Sequence, residues 1–120
     1  MTAAMSPEQM VAAGRVLLRR PDASTAGVWP RATALVTRQA LEATLAELWA
    51  ARAPGLERAS MRAQLVCLPR YIDPALAGRV SFTWSMLSTA CHHHAYQLSP
   101  TAGELSAWLD TCDDLWRAAH

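Results

Sequence analysis

The 120-residue chain has no lysine and no asparagine, a single phenylalanine, and only five glycines. Its eleven basic residues are all arginine, beside 24 alanines, which is the usage of a GC-rich coding sequence. Arginine richness therefore says little about nucleic acid, and a net charge of +1 lacks the basic excess of a dedicated nucleic-acid binder. The glycines are too scattered to build a phosphate-cradling loop, and neither GxSxG nor HExxH occurs. No cofactor is expected. No run approaches the roughly 18 uninterrupted apolar residues of a membrane span, so no membrane association is expected either. The opening MTAAMSPEQM lacks the positive start and apolar core of an export signal. Cys67, Cys91 and Cys112 form no tight motif, which fits a reducing, cytoplasmic setting with free thiols.

What the chain does contain is helical pattern, and one domain of this length can bury a core without staples. Ser6-Pro7-Glu8-Gln9 combines a capping residue, a proline suited to the first helical position and a returning glutamine, predicting a helix over 7–20. Residues 1–27, ending in the small polar PDASTAG, are expected to form a helix and linker, an arm outside the main bundle of 28–120. A second helix is predicted from Trp29-Pro30 to Arg52, with Leu35, Leu41, Leu45, Leu48 and Trp49 at apolar spacing and Arg38–Glu42 as an i, i+4 pair. A third is predicted over Arg58–Leu68, with Met61, Leu65 and Leu68 inward. Asp73-Pro74 starts a fourth, expected to reach about Leu98 and, being poor in charge, to lie centrally. Thr101 and Glu104 form a capping box for a last helix to about Arg117, whose Glu104, Asp110, Asp113 and Asp114 are expected to face solvent. Strand alternation is absent. The expected fold is all-α, a single-domain bundle of about five mostly antiparallel helices. Trp49, Trp84 and Trp108 fall at core positions.

The chemistry worth weighing is concentrated in CHHHAYQL, residues 91–98, which holds three of the four histidines. On a helix His92, His93 and His94 diverge by about 100° per residue and cannot share one ion. The convergent pairs are Cys91 with His94 and His92 with Tyr96. Zinc would need further ligands, and the other two cysteines sit at apolar helical positions, so a metal-binding sensor built on Cys91 and His94 is a subordinate reading. Nucleophilic catalysis by Cys91 would need His94 or a distant base, because its neighbour His92 points elsewhere. An interface between helices or subunits suits imidazole, which has one apolar and one wet side. His92, His93, His94 and Tyr96 are the interface candidates.

The stretch RATALVTRQALEATLAELW (31–49), a short third helix, and TWSMLSTACHHHAYQLSPTAGEL (83–105) together resemble the HEPN family of small all-α domains over about residues 28–118. The resemblance implies a homodimer. In active members it also implies a metal-independent ribonuclease site at the dimer seam, made from an arginine and a histidine with four to six residues between them. The histidine would handle protons and the arginine the phosphate charge. Here the corresponding positions hold Ser85, Met86, Leu87, Ser88 and Thr89, so that arginine is missing. Arg79, 13 residues before His92 and about 20 Å along the axis, could meet a histidine only across a dimer. The expectation is therefore a non-catalytic HEPN-like module, a homodimeric binding or regulatory partner. By resemblance its setting is a toxin–antitoxin or defence system or a nucleotidyltransferase partnership, with RNA or nucleotide binding. A ribonuclease using the histidine cluster with Arg79 is the alternative.

Overall fold

The computed structural model describes residues 5–19, 29–92 and 98–120. Five helices make up the described chain: α1 (Pro7–Arg19), α2 (Trp29–Arg52), α3 (Met61–Cys67), α4 (Pro74–Cys91) and α5 (Ala102–Ala119). Short 3-10 turns at Leu56–Arg58 and Leu68–Arg70 flank α3. No strand occurs among the described residues, and none of their helices is long and apolar enough to cross a membrane. The chain is an all-α single domain.

Local chemistry sets most helix starts. The Ser6 hydroxyl accepts from the Gln9 N–H at 3.1 Å while the Gln9 side chain accepts from the Ser6 N–H at 2.9 Å. Thr101 and Glu104 make the same reciprocal pair ahead of α5, at 3.1 and 3.0 Å. Asp73 caps α4 by accepting from Leu76 N–H. Each such cap satisfies donors that the first turn otherwise leaves orphaned, and contributes about 1 kcal/mol. Helix α3 begins later than the sequence suggests. Ser60, not a residue near Arg58, caps it through the Ala63 N–H, and Leu56–Arg58 forms the separate 3-10 turn.

Helix α2 is the hub. It packs against α1, α4 and α5 and buries Leu41, Leu45, Leu48 and Trp49 completely. The hydroxyls of buried Thr37 and Thr44 donate to the carbonyls of Thr33 and Ala40, so α2 carries polar side chains inward without unpaired groups at those two positions. Leu35 departs from the expected stripe and is about half exposed. The Trp49 indole N–H donates to the Gln64 side chain at 2.9 Å, which in turn donates to the Ala59 carbonyl and ties α3 to the hub. Leu105, Leu109 and Leu115 of α5 complete the core with Val80 and Leu87 of α4.

Helix α1 lies against α2 and α5, with Val11 and Gly14 buried. Gly14 permits that approach: a Cβ there would stand 3.0 Å from a methyl of Leu109. Helix α4 is not central. It buries Ala77, Val80, Thr83 and Leu87 along one side, while Gly78, Phe82, Ser85 and Thr89 are exposed on the other.

Candidate functional site at the seam of α2 and α4

Arg38 and Glu42 lie one turn apart on α2, and Trp84 and Cys91 lie two turns apart on one face of α4. Where these faces meet, the Arg38 Nε donates to Glu42 Oε1 at 2.9 Å, and the Trp84 indole N–H donates to the same oxygen at 3.3 Å. The guanidinium also sits 5.7 Å from the centre of the Trp84 ring, a cation–π distance. The Arg38 pKa lies above its ordinary value, chiefly through the hydrogen bond to Glu42. Partial burial opposes this, and the nearby Cys91 thiol adds a smaller hydrogen-bonding contribution. The arginine beside the histidine-bearing end of α4 is thus neutralised by a carboxylate and held on an indole, which suits a clamp between helices better than capture of a phosphate. Ser88, between Trp84 and Cys91, has a buried hydroxyl oxygen without a hydrogen-bond partner, at a cost of about 1–3 kcal/mol.

The fourth helix stops at Cys91 instead of reaching Leu98. His92 is its C-cap, extended at φ −88 and ψ 135, with its N–H donating to the Thr89 carbonyl at 3.2 Å and its side chain exposed. The 100° rotation from residue to residue that separated the imidazoles on paper does not extend through His92. His93, His94 and Tyr96 lie outside the described residues. So the pairing of Cys91 with His94 is not addressed by the described geometry, nor is that of His92 with Tyr96.

Arg79 is placed elsewhere. It belongs to the second turn from the opposite end of α4, paired with Asp114 at 2.9 Å and near the Thr111 hydroxyl at 3.4 Å. Within one chain Arg79 and His92 are not brought together. Among the described residues no group of three or more His, Cys, Asp or Glu side chains is placed to hold a metal ion. Cys67 and Cys91 are half-buried, whereas Cys112 is buried between α5 and α2, its thiol 3.7 Å from the Thr37 carbonyl. Burial pushes the Cys112 pKa up to about 12, with Asp113 adding to the rise and Arg15 opposing it, so this thiol stays protonated and inert at neutral pH.

Sequence reasoning missed the partners of the α5 acids. Arg15 of α1 reaches Asp110 at 2.9 Å and also contacts Asp113, while Asp114 takes Arg79 and Arg117. The signal was present in the matching placement of arginines on α1 and α4, but nothing in one sequence says which helices will be neighbours. No protein-family model matches the chain, and comparison with curated proteins and with solved structures found no match.

Proposed function

We propose that the chain is a non-catalytic HEPN-like helical module that works as a homodimeric binding or regulatory partner. Toxin–antitoxin or defence modules and nucleotidyltransferase pairs are the settings the resemblance implies. The observation that carries the reading is the state of two arginines, Arg79 on the histidine-bearing helix and Arg38 on α2 beside its end. Arg38 is paired with Glu42, and Arg79 shares Asp114 with Arg117 at the end of α4 away from His92, so within one chain neither guanidinium stands free beside that histidine. His92 is exposed at the helix end, a position suited to contact with a partner surface.

Incubation of purified protein with structured and single-stranded RNA tests the catalytic half of this reading. No cleavage above that of His92→Ala, His93→Ala and His94→Ala variants is expected. Metal-independent cleavage that disappears in one of those variants would establish the ribonuclease reading instead. Purification from a host that tolerates expression of the wild-type chain is expected as well.

A further inference from the structure

An open cleft of about 500 Å³, within the range of small-molecule sites, runs between α3 and α4. Arg62, Leu65, Val66 and Pro69 share one side of α3 and the turn after it, so they form a ridge about 10 Å long. Ser81, Trp84 and Ser85 form the facing ridge on α4. Val66 is 74% exposed at this cleft, an aliphatic side chain that the domain's own core does not use.

The chemistry of the cleft is one-sided. Arg62 is the single charged residue lining it, no acid joins it there, and its guanidinium has no ion pair among the described residues. Trp84, by contrast, is held in place. Its indole N–H donates to Glu42 at 3.3 Å, and the Arg38 guanidinium sits 5.7 Å from its ring centre. The polar edge of Trp84 is thereby engaged on α2, so what it brings to the cleft is aromatic carbon. Pro69 has no N–H to offer, which leaves the Arg62 guanidinium and the two serine hydroxyls as the side-chain donors. A guanidinium matches a carboxylate through two parallel N–H donors, and an indole opposite an aliphatic wall suits an aromatic ring.

We propose that the α3–α4 cleft binds a small aromatic carboxylate, its carboxyl group held by Arg62 and its ring lying between Trp84 and the wall of Leu65 and Val66. Length favours a small molecule over a partner helix. The ridge on α3 offers about 10 Å, whereas an ordinary helix of about 11 residues runs about 17 Å. Charge favours an anion, because the walls hold a guanidinium and no acid. A second copy seated cleft to cleft would bring Arg62 against Arg62. The cleft belongs to one chain, so the inference goes beyond the homodimer reading and stands without it.

Isothermal titration calorimetry and proton–nitrogen correlation spectra of the full chain test it, with 3-phenylpropionate as the probe. The wild type is expected to bind this acid with a dissociation constant below about 1 mM. Binding should move the Trp84 indole N–H resonance, identified by its loss in Trp84→Phe, and leave that of Trp116 in place. The amide 3-phenylpropionamide keeps the ring and drops the charge, and is expected to bind about tenfold more weakly or worse. The same loss is expected for the acid with Arg62→Gln. Arg19→Gln, which alters an exposed arginine on α1, is expected to bind as the wild type does. The acid–amide comparison uses the wild-type chain and so decides even where a variant misfolds. No binding at about 1 mM, equal binding of acid and amide, or shifts confined to residues outside the cleft overturns the proposal. So does a dimer in light-scattering chromatography that Val66→Asp converts to monomer, because the cleft is then filled by a second copy.

Discussion

Gly14 and Gly78 both interrupt the run of side chains along a helix, and they do so in opposite surroundings. At Gly14 the missing Cβ lets α1 lie on Leu109, and the seam is closed at its edge by Arg15 bridging Asp110 and Asp113. At Gly78 nothing stands within 4 Å of where a Cβ would lie, and its charged neighbour Arg79 turns to Asp114. The first glycine is accounted for inside the chain. The second is not required by any contact among the described residues. The same contrast separates the two sides of the domain: α5 has acids met by arginines from α1 and α4, while the α3–α4 cleft is lined by Arg62 beside apolar and small groups, with no ion pair across it among the described residues.

Substitutions sharpen this contrast. The largest effect is expected at the closed seam, where Gly14→Val drives side-chain atoms into Leu109 and should destabilise by about 2 kcal/mol in urea unfolding. An unchanged midpoint would mean that α1 does not rest on α5 as described. Arg15→Ala removes both carboxylate contacts. Because Asp110 is 61% exposed and water screens the pair, a loss of only about 1 kcal/mol is expected, shrinking as salt is raised. At the open face the sign reverses: Gly78→Ala should raise monomer stability by about 0.5–1 kcal/mol, through helix propensity alone. Destabilisation of the monomer there would reveal an intrachain contact that the geometry lacks.

The smallest effect at neutral pH belongs to Cys112. Its folded pKa is raised to about 12 from the ordinary thiol value of 9.0, so the folded state keeps a proton that the unfolded chain releases. The resulting contribution is fully present below about pH 9 and is lost as pH rises towards 12. Comparing unfolding of wild type and Cys112→Ala between pH 8 and 11 should show the wild type falling more steeply. Parallel curves would contradict the burial of this thiol.

Much of the fold was legible because its signals are local. The Ser6–Gln9 and Thr101–Glu104 boxes, the Asp73 cap and the Arg38–Glu42 pair all depend on residues three or four apart, and each forms as the spacing predicts. The end of α4 was not legible. Between Cys91 and Ser99-Pro100 no glycine or proline marks a stop, and a helix that turns extended at His92 without such a residue leaves no compositional trace. The central position expected for α4 failed for a related reason. Poverty in charge reports that a face is covered, or waits to be, and does not say whether the cover comes from the same chain. The candidate site was legible only in pieces: Arg38, Glu42, Trp84 and Cys91 were each visible in sequence, but their meeting depends on how α2 and α4 pack.

The central claim is the proposed homodimer, and the molar mass of the untagged chain by light scattering tests it most directly. The account predicts a species of twice the 13.1 kDa chain mass at micromolar concentration, whereas a single species at 13.1 kDa across that range would contradict it.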